Sequence, residues 1–362
     1  MHSRSIWALL SPSSLWLALA AAEPFPGADP SVILHTDNNY YSVESRDGGI
    51  SIRKAPKLEL FASAEPKEIW TDDRNLTNVW APEIVGDEDK FYIYFAAGND
   101  LRKRTYVISS DQPGDGYGAE TELELGGDEW AIDGTMFRYD DQLWFAWSGW
   151  EDKSKNEQNL YLSRMKSPTE ATGPRYLLSQ PREPWERVEG NPFVNEGPEA
   201  IIDPDGQLHI VYSADGSWTE SYCLADLRLR PGGDMTNIWD WYKSNGCLMG
   251  SEADQMMEGW ETTKEVNGPG HHTFSGPAGR IDGMRELEKD HPFMYHAVPK
   301  GTNYNWENRE RFAGTFRWVE DVTYSRANVP GDNENVGWSL KFGEKAVDDA
   351  PPGPGCRPKS RK

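Results

Sequence analysis

The chain of 362 residues is 37% hydrophobic and 12% aromatic, so it can bury a large core, and all-β architectures of this size often form a single domain. Its formal net charge of −22 argues against nucleic acid as a partner, because phosphates are bound by Lys and Arg rather than by Asp and Glu. We therefore expect one main soluble domain with an acidic surface.

The first 22 residues are predicted to be a signal peptide. Arg4 precedes two apolar runs, and Ala20-Ala21-Ala22 supplies small residues before a cleavage point. A membrane anchor is the alternative, but Pro12 interrupts the apolar stretch, which is shorter than the roughly 20 residues of a spanning helix. We therefore expect a secreted, extracellular protein without a membrane association after the leader is removed.

A unit recurs five times from Asp29 onward. In each unit a short apolar strand opens on a charged or imidazole side chain, and a tight polar turn leads to an aromatic-rich strand. Short strands bounded by Gly, Pro, Asn and Asp, without a sustained 3.6-residue apolar period, are typical of an all-β domain. Because a four-stranded unit repeated radially is a propeller blade, residues 23–347 are predicted to form a five-bladed β-propeller with four-stranded antiparallel blades.

The five strand starts predict a pocket on the propeller axis. They would gather three carboxyl groups, Asp29, Asp133 and Glu196, together with His271. Inverting hydrolysis of a glycosidic bond needs a carboxylate base and a carboxylic acid about 6.5 to 9.5 Å apart. A third carboxylate raises the pKa of the acid by like-charge repulsion. These residue types therefore suit an inverting glycosidase.

Five ordered motifs resemble those of glycoside hydrolase family 43, whose members are five-bladed propeller enzymes that act on arabinose- and xylose-containing polymers. The motifs are Asp29-Pro30-Ser31-Val32, Trp80-Ala81-Pro82-Glu83, Ile132-Asp133-Gly134-Thr135, Asn195-Glu196-Gly197-Pro198-Glu199 and Gly268-Pro269-Gly270-His271-His272-Thr273-Phe274. By position, the resemblance implies that Asp29 is the general base and Glu196 the general acid. It implies that Asp133 orients the acid and tunes its pKa, and that the chemistry needs no cofactor.

The run from Asn195 to Leu224 is most similar to the exo-acting α-L-arabinofuranosidases of that family, which trim α-1,5-arabinan. A β-xylosidase or an endo-arabinanase remains an alternative, because substrate choice depends on pocket shape rather than on fold. A carbohydrate-binding propeller without catalysis is another, although it would not need three acids in one pocket. A purely structural propeller is the third, because Asp is common in turns. We expect a monomer that binds an arabinose-containing polysaccharide or oligosaccharide.

The family pattern implies that His271 lies below the acids and organises a metal ion, often calcium, or a water cluster. The alternative is a buried histidine that only hydrogen-bonds its neighbours, since calcium prefers oxygen ligands. His272 stands where we expect Asn and is interpreted as structural.

Trp80, Trp147 and Trp218 are candidate substrate-binding residues that either stack on a sugar ring or pack in the core. Glu83 and Glu199 flank the motifs, and the period of a strand indicates a supporting or structural role for them. Two arginines, Arg309 and Arg311, are equally good candidates for a cation near the acids.

Cys223, Cys247 and Cys356 are the only cysteines. In an oxidising compartment a disulfide between Cys223 and Cys247 is expected, with Cys356 left over; three free thiols are the alternative. The tail over residues 348–362 is rich in Pro, Gly and basic residues, and it is predicted to be disordered and without a catalytic role.

Overall fold

The structure is a computed structural model that describes residues 24–99, 102–126, 130–151, 157–189, 191–325 and 336–345. The predicted signal peptide and the predicted tail lie outside the described residues. Within the described ranges the chain forms twenty-one strands and four short 3₁₀ helices. No helix in these ranges is both long and apolar enough to cross a membrane.

The first third of the chain forms two four-stranded antiparallel sheets after a short initial strand, β1 (Phe25–Pro26). The first sheet contains β2 (Ser31–Leu34), β3 (Tyr40–Arg46), β4 (Gly49–Ala55) and β5 (Lys67–Thr71). The second contains β6 (Trp80–Asp87), β7 (Lys90–Asn99), β8 (Arg102–Ser110) and β9 (Thr121–Glu122).

Two further antiparallel groups join into one sheet through a short parallel pairing of their third and first strands. One group contains β10 (Ala131–Tyr139), β11 (Gln142–Trp150), β12 (Glu157–Ser167) and β13 (Glu170–Ser179), and the other β14 (Phe193–Ile202), β15 (Leu208–Ala214), β16 (Cys223–Leu229) and β17 (Trp241–Lys243). The last sheet contains β18 (Val266–Phe274), β19 (His291–Pro299), β20 (Glu310–Ser325) and β21 (Val336–Gly343), and β1 also pairs with β20. The 3₁₀ helices cover Leu58–Ser63, Pro184–Glu186, Ile238–Asp240 and Trp306–Asn308.

The core lies between neighbouring sheets. Ile33 and Val43 of the first sheet pack in one cluster with Ile84 and Ile93 of the second. Several strands are therefore buried on both faces; β11 is buried from Leu143 to Trp150, and β15 and β16 are buried throughout. Such strands are near-continuous apolar and aromatic runs because neither face meets solvent.

The first strands of the five groups share one local conformation. In four of them, β6, β10, β14 and β18, the pairing with the next strand shifts register near the strand's start. A residue with positive φ lies at each of the five starts: Asp29 (51°), Ala81 (39°), Asp133 (54°), Gly197 (57°) and His271 (41°). A bulge of this kind re-aims a side chain away from the strand ladder. These first strands contact one another in chain order, and β18 also contacts β2.

The all-β prediction is confirmed, and sheets of four antiparallel strands are present as expected. The predicted disulfide between Cys223 and Cys247 is also confirmed. It joins β16 to the segment that follows β17, and both cysteines are fully buried.

Candidate active site

The starts of the first strands bring the three predicted acids around His271. The Nδ1 atom of His271 lies 3.2 Å from Asp29 Oδ1 and 3.8 Å from Asp133 Oδ2. The backbone N–H of Gly197, the residue after Glu196, donates to Asp133 Oδ2 at 3.2 Å. The four residues predicted to share a pocket are therefore neighbours in the structure.

Asp29 is the most exposed of the three acids and the one with the strongest positive surroundings. Burial alone would raise the pKa of this carboxyl, but the charge of His271, the contact with His296 and the charge of Arg309 outweigh burial and lower it far below its usual range. The His296 Nδ1 atom lies 3.2 Å from Asp29 Oδ1, and Arg309 Nη1 lies 3.8 Å from it. Asp29 is therefore ionised at any ordinary pH.

Glu196 is buried, and both of its carboxyl oxygens have hydrogen-bond donors. The Tyr222 hydroxyl donates to Oε1 at 2.9 Å, and Gln158 Nε2 donates to Oε2 at 3.0 Å. Burial is the largest influence on this group and raises its pKa; the charge of Asp29 adds to the rise, while His271 and the two hydrogen bonds oppose it. Glu196 thus retains a proton at higher pH than an ordinary glutamic acid does.

Asp133 is buried beside His271 and the Gly197 backbone. Burial raises its pKa, and the negative charges of Glu196 and Asp29 raise it further, against the opposing charge of His271. Because the ionised forms of Asp133 and Glu196 repel each other, each carboxyl favours a proton on the other.

His271 is an ion-paired histidine. Burial would lower its pKa, but Asp29, Asp133 and Glu83 outweigh burial and raise the pKa to about 10. Its Nε2 atom lies 3.6 Å from Glu83 Oε1, and its backbone N–H donates to Ser213 Oγ at 2.8 Å. The ring is therefore protonated on both nitrogens at neutral pH.

Among the residues that the structure describes, no group of three or more His, Cys, Asp or Glu side chains forms a ready metal site. His271 itself is paired with Asp29, Glu83 and Asp133. A metal ion or a water cluster organised by His271 stays a prediction.

Glu83 and Glu199 lie on the other side of His271 from Asp29. Burial raises the pKa of Glu83, and burial together with the charge of Glu83 raises the pKa of Glu199 well above the usual range. They contact His271, Ser31 and Thr273 rather than the three acids, so their placement suits the supporting role expected of them.

His272 is fully buried and packs its ring edge-on against Phe274 and Phe342. Burial, reinforced by the charge of His271, lowers its pKa to about 3. Its environment is that of a neutral core side chain.

The three candidate tryptophans differ in their surroundings. Trp80 is 38% exposed, and the ammonium group of Lys103 lies 3.2 Å from the centre of its ring. Trp218 is 37% exposed. Trp147 is only 1% exposed and packs between Phe145 and Tyr161, so its expected role in sugar stacking is corrected to core packing.

The structure also separates the two arginines. Arg311 donates from Nε to the Ala28 carbonyl at 2.9 Å and from Nη1 to Glu44 at 3.0 Å. Arg309 is the arginine whose guanidinium group approaches the Asp29 carboxylate.

Sequence reasoning missed Gln158, Tyr222 and His296 as site residues. Each lies in or beside a strand other than a first strand, where the recurring motifs give no signal. Gly270 of the last motif reflects one of these contacts in the sequence, because a Cβ atom at this position would lie 2.0 Å from the Tyr222 ring. The ring itself stacks on His296 with centres 5.6 Å apart.

Comparison with known proteins identifies a family. The model of "Glycosyl hydrolases family 43" matches residues 24–324. The chain is similar to an extracellular exo-alpha-(1->5)-L-arabinofuranosidase of Streptomyces chartreusis, with 31% identity over 282 residues that cover 75% of this chain and 79% of that protein. It is 30% identical over 308 residues to a protein of the same description from Streptomyces avermitilis, covering 82% of this chain. The chain spans only 60% of the length of that second relative.

The fold is also similar to that of solved structures. The crystal structure of an alpha-L-arabinofuranosidase from Lactobacillus brevis is similar with a TM-score of 0.66 and 27% identity, over 81% of this chain and 91% of that one. A thermostable family-43 glycoside hydrolase has a similar fold, with a TM-score of 0.65, 19% identity and coverage of 94% of this chain and 99% of that one.

Proposed function

Because the chain belongs to glycosyl hydrolase family 43, we propose that it is a secreted, inverting, exo-acting α-L-arabinofuranosidase. The proposed substrate is α-1,5-linked arabinan or arabino-oligosaccharide. The observation that carries this proposal is that the surroundings shift two carboxyl groups near His271 in opposite directions: the pKa of Asp29 is lowered and that of Glu196 is raised.

Asp29 is proposed as the general base. An inverting glycosidase needs an ionised carboxylate that accepts a proton from the attacking water. The charges of His271 and Arg309 keep Asp29 ionised, and its partial exposure leaves room for water beside it. His296 helps to fix its position, because His296 Nδ1 lies 3.2 Å from Asp29 Oδ1.

Glu196 is proposed as the general acid. Its raised pKa keeps the proton that the leaving oxygen needs. The hydrogen bonds from Tyr222 and Gln158 hold the carboxyl group in one orientation. Asp133 is proposed to position this acid through the Gly197 backbone and to raise its pKa by mutual repulsion. This chemistry requires no cofactor.

The five sheet groups are proposed to close into a five-bladed propeller. The cyclic order of contacts among β2, β6, β10, β14 and β18 supports this arrangement. The pairing of β1 with β20 also supports it, because it joins the N-terminal end of the described chain to the last sheet.

The arabinan substrate and secretion are supported by the names of the two Streptomyces relatives, both described as extracellular exo-alpha-(1->5)-L-arabinofuranosidases. The signal peptide predicted over residues 1–22 agrees with an extracellular location. We expect the mature enzyme to act as a monomer on an arabinose-containing glycan.

The test is the product profile from debranched linear α-1,5-arabinan and from xylo-oligosaccharides, followed by chromatography. Single arabinose units from the first reaction times onward are the expected product. Short arabino-oligosaccharides would instead indicate an endo-arabinanase, and release of xylose alone would indicate a β-xylosidase. Binding of arabinan without any product would contradict an enzymatic role.

A further inference from the structure

Two partly exposed tryptophans meet on loops beside the candidate acids. Trp218 lies between β15 and β16, and Trp306 opens the 3₁₀ helix Trp306–Asn308 before β20. Their rings are nearly perpendicular, at 84°, with centres 6.3 Å apart. Trp306 is 53% exposed, so both indoles combine apolar area with access to solvent.

Local contacts fix the Trp218 indole and the short helix that carries Trp306. The Trp218 ring lies so close over Gly216 that a Cβ atom there would be 2.6 Å from it, and the Thr219 hydroxyl closes this turn by donating to the Gly216 carbonyl at 3.0 Å. The Asn305 side chain accepts the Asn308 N–H at 2.9 Å and caps the helix that carries Trp306. A rigid aromatic surface binds a ligand with little loss of conformational entropy.

The pair is connected to the acids on two sides. The guanidinium group of Arg309 lies 5.8 Å from the centre of the Trp306 ring and 3.8 Å from the Asp29 carboxylate. The Tyr304 hydroxyl donates to the carbonyl of Ser217, next to Trp218, at 3.3 Å. Burial raises the pKa of Tyr304, and the charge of Glu196 contributes to the rise, so Tyr304 lies within the electrostatic field of the acid.

The topology places this surface on the leaving-group side. Glu196 lies on β14, its register partner Ser213 lies on β15, and the loop that follows carries Trp218. The acid must contact the glycosidic oxygen, and Tyr222, at the end of the loop that carries Trp218, donates to Glu196 Oε1 at 2.9 Å, so this loop borders the acid. Trp80 is less suited to stacking because the Lys103 ammonium already covers one face of its ring.

We propose that Trp218 and Trp306 form a binding subsite for the pentose that follows the cleaved bond. Sugar rings present C–H groups on one face and hydroxyl groups at their edges, and an indole face binds the former. This inference rests on the proposed glycosidase function and adds to it the residues that select the leaving group.

The test compares two substrates. In α-1,5-L-arabinotriose a second sugar occupies the proposed subsite; in methyl α-L-arabinofuranoside the leaving group is too small to reach it. Trp306→Ala is expected to lower kcat/KM for the trisaccharide about tenfold, which corresponds to about 1.4 kcal/mol, and to leave kcat/KM for the methyl glycoside near the wild-type value. Trp306→Phe is expected to retain most of the activity on the trisaccharide.

Trp239→Ala is the matched control. Trp239 is 86% exposed and also lies in a three-residue 3₁₀ helix capped by an asparagine, Asn237. This variant is expected to match the wild type on both substrates. An equal loss on both substrates in Trp306→Ala would overturn the subsite and point to a displaced Arg309, and no loss on either would overturn it outright. A wild-type protein that cleaves neither substrate would overturn the proposed function and the subsite with it.

Discussion

At the scale of single residues, one histidine accounts for much of the difference between two carboxyl groups. His271 places its positive charge 3.2 Å from Asp29. Glu196 forms no such ion pair with His271 in the described part of the chain, and it is more deeply buried than Asp29. Burial favours the neutral form of a carboxyl group and a nearby cation favours the ionised form. The nearby histidines and Arg309 together therefore have the larger effect on the pKa of Asp29, which is lowered, and burial has the larger effect on that of Glu196, which is raised.

Substitution of the two acids should separate their roles by leaving group. Glu196→Gln is expected to lower kcat/KM on arabinan by a factor of about 10² to 10⁴, the usual contribution of a general acid. It should retain near wild-type kcat on 2,4-dinitrophenyl α-L-arabinofuranoside, whose leaving group needs no proton. Asp29→Asn should lose activity on both substrates, because water must be activated in either reaction.

Initial rates on the two substrates, with unchanged thermal unfolding as the control for folding, check this prediction. A loss of equal size on both substrates in Glu196→Gln would argue that Glu196 does not protonate the leaving group.

Tyr222→Phe should change the pH profile in one direction. The Tyr222 hydroxyl stabilises the ionised form of Glu196 and so lowers its pKa. Without that hydrogen bond the pKa of Glu196 rises, and the acid keeps its proton to higher pH. We expect the alkaline limb of kcat/KM against pH to move to higher pH. Asp29 stays ionised across the profile in both proteins, so the base should not contribute to the change. A shift of the alkaline limb to lower pH would contradict the assignment of Glu196.

At the scale of elements, a buried ionic cluster joins the fourth group of strands to the last sheet. Arg228 on β16 contacts Asp226 at 3.0 Å and, on β20, Asp321 at 2.8 Å, and all three side chains are almost fully buried. His209 adds a contact of 2.9 Å to Asp226. The cluster lies on strands that the recurring motifs do not mark, so sequence patterns gave no indication of it.

Arg228→Met should destabilise the protein strongly. It leaves two carboxylates in the interior without their cation, and breaking a buried ion pair in this way costs about 3 to 5 kcal/mol. The free energy of unfolding from urea titration measures the effect. Lys166→Met is the control, because the Lys166 to Glu170 pair at 2.9 Å is exposed and such pairs contribute about 1 kcal/mol or less. Equal effects of the two substitutions would show that the buried cluster is not important for stability.

The first strands were predictable because each starts with a motif that has a local physical cause. A positive φ recurs at all five starts and a register shift at four of them, although the residue with the positive φ is Asp, Ala, Gly or His. The pattern in the sequence is therefore the recurring short apolar strand and polar turn rather than one fixed residue. The loops that shape the rim left no pattern. Contacts such as Arg309 with Asp29 join residues 280 positions apart and depend on how the sheets pack.

Trp147 shows where local reasoning fails. It lies in the middle of β11, a strand buried on both faces, and such a strand gives no alternation that would distinguish a core tryptophan from one that faces a ligand. Trp218 and Trp306 lie on loops instead, where an exposed aromatic side chain more often has a binding role.

At the scale of the whole molecule, five similar strand starts produce one asymmetric site. The recurring conformation presents Asp29, Ala81, Asp133, Gly197 and His271 at equivalent positions of the five groups. Only three of these positions, Asp29, Asp133 and His271, carry ionisable side chains. The third acid, Glu196, is the residue before Gly197. The all-β sheets and the clustering of the acids around His271 were therefore predictable from sequence, whereas the proton affinities of the acids depend on the complete packing of the molecule.

The most direct test of this account is the anomeric configuration of the first product from α-1,5-arabino-oligosaccharides, followed by proton NMR before mutarotation. A base at Asp29 and an acid at Glu196 predict that arabinose is released first as the β-anomer. Release of the α-anomer first would mean retention and would contradict the inverting mechanism.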